Sequence, residues 1–188
     1  MILDLFNLDI GKILTLYSIS PGSRYTRNEL KEKTNLFNVS LDKSLSILLT
    51  NKILIKEKRF YAINFNNENA KIILNLIKLE YLKFKEIPLN VFYIIFELSY
   101  LFSKEKEIYN VFLFGSYSKL IYTEKSDIDI AIFLKNNNTK TIKKIKQKIK
   151  KIEKKSSKII ELHFYEQKDL NQNDKLIKEI KKNGVSFF

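Results

Sequence analysis

The chain has 188 residues, with 34 Lys and Arg against 21 Asp and Glu, a formal net charge of +13 and a pI near 9.6. It has no cysteine, which excludes disulfides and thiolate metal sites, and its longest apolar run, Val91–Phe102, contains Glu97 and is too short to span a bilayer. A hydrophobic content of 45% suffices for one large or two small packed domains. The positive charge points to polyanionic partners, nucleic acid or nucleotide. Nearly all of it is lysine in a chain rich in Ile and Asn, a usage that AT-rich coding also produces. The first residues, Met1–Phe6, lack the basic start and cleavage site of a signal peptide, so the expected compartment is the cytoplasm.

A first helix is predicted over Asp9–Ser18, with Ile10, Ile13, Leu14 and Tyr17 at helical spacing and Pro21-Gly22 just beyond it. Thr26-Arg27-Asn28-Glu29 reads as a capping box opening a second helix that carries Leu30. Asn35–Asn38 turns the chain. Ser40 is the expected N-cap of a third helix with Leu41, Leu45, Leu48 and Leu49 inward and Asp42, Lys43, Ser46 and Asn51 outward. Ile53–Ile55, a charged tip Lys56–Arg59 and Phe60–Phe65 then read as a β-hairpin. Three helices followed by a hairpin resemble a winged helix-turn-helix. The resemblance implies DNA or RNA contact through Ser40, Lys43 and Ser44 of the third helix and Lys58 and Arg59 of the wing, or else reuse of the fold for protein contact.

Asn66 or Asn67 caps a long helical stretch reaching about Lys85. Its apolar residues, including Ile72, Ile73, Leu76, Ile77, Leu79 and Leu82, cover more than one face, so burial is expected, between domains or in a homodimer seam. Pro88 interrupts it, and a further helix runs from Leu89 to about Phe102.

Val111–Phe114, Gly115-Ser116, the ten residues Tyr117–Ser126 and Asp127–Phe133 read as strand, tight turn, short helix and strand. Asp127 and Asp129 stand two apart on the second strand, about 6.5 Å along one face. Two carboxylates so placed among Ile128 and Ile130 repel each other and are poorly solvated unless a cation lies between them. Hard oxygen donors favour Mg²⁺ or Mn²⁺. At the end of the other strand, Gly115 lets the backbone come close and Ser116 adds a hydroxyl, beside the N–H groups of a helix start. A phosphate cradle beside a metal-holding carboxylate pair suits phosphoryl or nucleotidyl transfer.

Gly115-Ser116, ten residues and Asp127-x-Asp129 resemble the signature of the DNA polymerase β-like nucleotidyltransferases, and of their minimal branch in particular, over roughly residues 105–188. The resemblance implies two Mg²⁺ or Mn²⁺ ions on Asp127 and Asp129, with a third acid on a later strand, for which Glu161 is the candidate and general base. It also implies a nucleoside triphosphate, ATP or another, held by Gly115, Ser116 and Lys119. Many minimal members continue Gly-Ser-x-Ala-Arg-Gly, whereas this chain reads Gly115-Ser116-Tyr117-Ser118-Lys119-Leu120. Lys119 keeps the charge of the arginine without its fork, and Leu120 replaces a glycine.

Asn136–Asn138 is a predicted loop. Thr139–Lys155 is a predicted amphipathic helix, with Ile142, Ile145, Ile149 and Ile152 in one stripe and a nearly all-lysine remainder. In the strand Ile159–Tyr165, Glu161 and His163 share one face and Ile160, Leu162 and Phe164 the other, while Glu166 has the wrong parity for the acid set. His163 reads as a structural histidine. A helix Asn173–Lys182 with Gly184 as its C-cap closes the chain.

The expected fold is α+β: a winged helix over 1–66, a helical linker over 67–104 and a small mixed-sheet nucleotidyltransferase domain with flanking helices over 105–188. The expected function is transfer of a nucleoside monophosphate, AMP from ATP, to a hydroxyl of a protein or RNA acceptor. The minimal branch implies one partner in particular, a small helical HEPN toxin silenced by adenylylation. The alternative is a DNA-binding regulator whose transferase-like domain only binds nucleotide.

Overall fold

The computed structural model describes residues 7–84, 86–136 and 138–188. The chain divides into two compact units, Met1–Lys85 and Glu86–Phe188.

In the first unit, helix α1 (Leu8–Ile19) starts where the Asn7 side chain accepts the Asp9 N–H at 2.8 Å. Its Ile10, Ile13, Leu14 and Tyr17 are buried, and the Tyr17 hydroxyl donates to the Tyr61 carbonyl at 2.9 Å. Burial pushes that phenol well above its usual range. Strand β1 (Tyr25–Thr26), which the sequence pattern does not announce, leads into α2 (Arg27–Thr34). The capping box is formed: the Glu29 carboxylate accepts the Thr26 N–H at 2.7 Å, and the Thr26 hydroxyl accepts the Glu29 N–H at 3.3 Å. Asn35, left-handed with φ 53°, ends α2.

Helix α3 (Asn38–Thr50) begins two residues before the expected Ser40 cap. The Leu41 N–H already bonds to the Phe37 carbonyl at 2.9 Å, so Phe37 holds the N-cap position without a side-chain hydrogen bond and Ser40 lies in the first turn. Strands β2 (Leu54–Glu57) and β3 (Phe60–Ile63) complete an antiparallel sheet of order β1-β3-β2. Lys56 and Glu57 are paired within β2, which leaves only Lys58 and Arg59 in the hairpin tip. Helix α4 (Glu68–Leu82), capped by Asn67, packs on α1 and buries Ala70 and Leu74. Ile72, Leu76, Leu79 and Leu82 are 46–61% exposed in the single chain.

In the second unit, α5 (Leu89–Phe102) starts at Pro88 and is buried along most of its length. Strand β4 (Ile108–Phe114), the short helix α6 (Gly115–Ser118) and β5 (Ile128–Leu134) follow. Helix α7 (Thr139–Ser156), β6 (Ile160–Glu166), a 3-10 turn (Gln167–Asn171), α8 (Lys175–Asn183) and β7 (Val185–Ser186) complete the chain. The sheet order is β6-β5-β4-β7; β5 and β6 are parallel, joined by the α7 crossover, and the other pairs are antiparallel. Ile128, Ile130, Ala131, Ile132 and Phe133 are all buried, so β5 is covered on both faces. The α7 stripe is seated through Ile145, Ile149 and Ile152. Lys144 and Lys148 of α7 reach the buried Glu105 carboxylate at 2.8 and 2.7 Å. Among the described residues, no helix is long and apolar enough to cross a membrane.

Candidate functional site

The site lies where β4 gives way to α6 and where β5 and β6 begin. Phe114, the last residue of β4, stands opposite Asp129, and Asp129 stands opposite Glu161. Gly115 turns the chain with φ +71°, a conformation that costs a side-chain-bearing residue about 1 kcal/mol or more. The turn also passes hard against Asp129: a Cβ on Gly115 would lie 2.8 Å from Asp129 Cγ and overlap Oδ2. The Ser116 N–H, at the start of α6, donates to the Asp129 carboxylate.

Asp129 is half-buried, and its carboxyl is pushed above the usual carboxylate range. Burial is the main cause; the negative charges of Glu161 and Asp127 add to it, and His163 and the Ser116 N–H oppose it. Glu161 and His163 lie on one face of β6, with His163 Nε2 3.3 Å from Glu161 Oε1. The ring of Phe114 meets the His163 ring edge to face at 5.1 Å between centroids. Asp129, Glu161 and His163 each offer one ligand atom, all within 4.8 Å of one another. Asp127 precedes β5 by one residue and is outside this group, although its charge bears on Asp129.

The loop that carries Asp127 is braced. Lys158 Nζ donates to the Tyr117 hydroxyl at 3.0 Å and to the Glu124 carbonyl at 2.5 Å. Tyr122 stacks on Tyr117 at 4.6 Å, and the Ser126 hydroxyl accepts the Thr123 N–H at 2.8 Å. Of the residues read as a triphosphate cradle, Gly115 and Ser116 stand at the lip of the site. Lys119 is ion-paired with Glu179 of α8, and Leu120 is left-handed with φ 59°. Glu166 is engaged elsewhere, with Lys168 and in the cap of the 3-10 turn.

In the first unit, Lys43, Lys58 and Arg59 are exposed and Ser40 is half-buried. Ser44 is 3% exposed, so it faces the core and not a ligand, because it falls on the Leu41–Leu45–Leu48 side of α3. Arg59 lies over the Phe60 ring at 5.1 Å, and Lys58 is left-handed with φ 55° at the tip. Arg27 grips Asp42 of α3 with two hydrogen bonds of 2.7 and 2.9 Å.

His163 is the residue that sequence reasoning passed over, although its shared parity with Glu161 was the available signal. Two carboxylates and an imidazole, with the Asp129 carboxylate costly to ionise, are a donor set that fits a divalent cation. Among curated proteins, none matches the chain with significance. Residues 97–188 match the family model described as Polymerase beta, Nucleotidyltransferase. This stretch holds the turn, the acids and the sheet that join them, and it is a nucleotidyltransferase domain of the polymerase β-like superfamily.

Proposed function

We propose that the protein moves a nucleoside monophosphate, AMP from ATP, onto a hydroxyl of a protein or RNA acceptor. The observation that carries this is the pairing of Asp129 with Glu161 at the lip of the Gly115-Ser116 turn, inside a nucleotidyltransferase domain. Asp127, Asp129 and Glu161 would hold Mg²⁺ or Mn²⁺, two ions in all. When bound, the metal neutralises phosphate charge and lowers the cost of ionising the acceptor hydroxyl. Ser116 fixes Asp129 through its N–H, and Gly115 leaves room for that carboxylate. The acceptor oxygen bonds to the α-phosphorus, the bond to the pyrophosphate oxygen breaks, and Glu161 takes the hydroxyl proton. Incubation with α-³²P-ATP, Mg²⁺ or Mn²⁺ and cell lysate should label protein or RNA. Asp127→Asn with Asp129→Asn should remove the label while the circular dichroism spectrum is kept. Labelling that survives in the double variant would refute the assignment.

The first unit supports a nucleic-acid contact. Its order, helix, short strand, two helices and hairpin, is consistent with the proposed winged helix, and its tip carries Lys58 and Arg59. Lys43 on α3 adds charge nearby in sequence, and DNA is the proposed ligand. A HEPN-type protein is the proposed acceptor, and it would be the labelled species if co-expressed.

The second reading, a regulator that binds nucleotide without transferring it, is favoured by one observation. Lys119, at the position of the family's arginine, is spent on Glu179. Binding of ATP without pyrophosphate release, together with DNA affinity that changes on adding ATP, would select it.

A further inference from the structure

We propose that His163 is a direct nitrogen ligand of the metal site and gives it a preference for Mn²⁺ over Mg²⁺. The inference rests on the reading of Asp129 and Glu161 as metal-holding groups. His163 sits two residues beyond Glu161 on the same strand and face, opposite Ala131. Alanine there leaves the face open above β5, so nothing bulky separates the imidazole from Asp129. Phe114 holds the ring edge to face at an interplanar angle of 77°, and Phe114 is itself buried, so the ring has a firm backing. Its Nε2 already lies 3.3 Å from Glu161 Oε1, and one atom from each of the three side chains falls within 4.8 Å of the others. Two ligand atoms on opposite sides of one small divalent ion stand about 4.2 Å apart, so a small side-chain rotation closes the set.

The chemistry decides the metal. Mg²⁺ is a hard cation that dehydrates reluctantly and takes carboxylate and water oxygens. Imidazole nitrogen binds first-row transition ions better than it binds Mg²⁺, and of these Mn²⁺ is the one whose preference for carboxylate and water oxygens lies nearest to that of Mg²⁺. Asp127 lies outside the three-residue group, so the site is completed by nitrogen where a pair of aspartates alone leaves it open.

The test uses the full chain loaded with Mn²⁺ alone, without nucleotide. Pulsed electron paramagnetic resonance should detect a directly bonded ¹⁴N on the Mn²⁺, and that coupling should vanish in His163→Gln. Titration calorimetry should show Mn²⁺ affinity falling by about 10-fold or more in His163→Gln, with Mg²⁺ affinity moving by less than about 3-fold. A far-ultraviolet spectrum unchanged from the parent chain checks that the variant is folded, and His163→Asn serves if Gln disturbs the strand. Mn²⁺ bound with no nitrogen coupling overturns the role of His163 and leaves the carboxylate site standing. No Mn²⁺ or Mg²⁺ binding at all overturns the metal-dependent reading itself along with it.

Discussion

Gly115 and Asp129 occupy space that only a glycine can share: a Cβ at position 115 would overlap the Asp129 carboxylate and lie 2.8 Å from its Cγ. Gly115→Ala therefore combines a left-handed backbone, φ +71°, with a displaced carboxylate. The expected result is a loss of stability of about 1–3 kcal/mol and a large loss of metal affinity, because Asp129 cannot keep its position beside Glu161. Urea denaturation reads the first and Mn²⁺ calorimetry the second. A variant that binds metal as the parent does would show that the close approach has no part in the site.

Asp129→Asn separates function from stability. The Asp129 carboxylate is poorly solvated and lies near the charges of Glu161 and Asp127, which raises its pKa. A raised carboxyl pKa means that ionisation disfavours the folded state, so removing the charge is expected to raise the melting temperature at neutral pH. The same change should abolish nucleotidyl transfer, by about 10³-fold or more. Added Mn²⁺ should stabilise the parent chain and not the variant. Scanning fluorimetry with and without metal measures all of this except transfer, which the labelling assay reads.

Much of this site was legible in the sequence because its parts are local. Gly115-Ser116 marks a turn, the apolar run from Ile128 marks a strand carrying Asp129, with Asp127 just before it and not on it, and the parity of Ile159–Tyr165 puts Glu161 and His163 on one face. What the pattern could not supply is register across strands. Asp129 pairs with Glu161 only because β5 and β6 are parallel and in step, and that pairing, not the spacing of the two aspartates, gathers the ligand atoms. His163 was set aside for the same reason, since a lone histidine gains meaning only from what lies across the sheet. The misplacement of Ser44 had a simpler cause: the outward residues Asp42, Lys43 and Ser46 are exposed as expected, but Ser44 was grouped with them as a contact although it lies on the Leu41–Leu45–Leu48 side of α3. Strand β7 is two residues long and is held by β4, which short-range patterning cannot reveal.

Leu120 is 46% exposed and adopts φ 59°, so it carries left-handed strain with little burial to set against it. The left-handed conformation costs a leucine about 1–2 kcal/mol, and the added freedom of glycine in the unfolded chain returns about 0.5–1 kcal/mol of that. Leu120→Gly is therefore expected to stabilise the second unit by roughly 0.5 kcal/mol. Leu120 lies outside the proposed acid set, so the substitution should also leave any transfer activity at the parent level. A lower denaturation midpoint would mean that the Leu120 side chain makes a contact worth more than the strain.

Lys43, Lys58 and Arg59 give the winged-helix proposal a quantitative handle. If all three contact phosphate, each alanine substitution should reduce the slope of log affinity against log salt by about 1, with similar losses on unrelated duplexes. Fluorescence anisotropy on a short labelled duplex at several salt concentrations measures the slope. Ser44→Ala should leave it unchanged, since that side chain is buried. A slope near zero for the parent chain would remove DNA as the ligand of the first unit.

Glu105 ties the lysine-rich helix to the rest of its unit. It is 7% exposed and accepts from Lys144 and Lys148, one helical turn apart, at 2.8 and 2.7 Å. Burial alone raises a carboxyl pKa; here the two ammonium groups outweigh it together, and the Glu105 pKa is lowered. A lowered folded pKa contributes stability above the unfolded value, about 4.3, and that contribution is lost as the pH falls through the folded pKa. Glu105→Gln is thus expected to destabilise the protein by about 1–2 kcal/mol at neutral pH, the exposed lysine ends being partly screened. The gap between parent and variant should narrow below about pH 4 and close when both side chains are uncharged. Half a molar salt should shrink it only in part, because one partner is buried. Urea midpoints at pH 7, 5 and 3.5 would decide the matter: a gap that stays constant across that range would mean that Glu105 acts by shape, and that α7 is held by its isoleucine stripe alone.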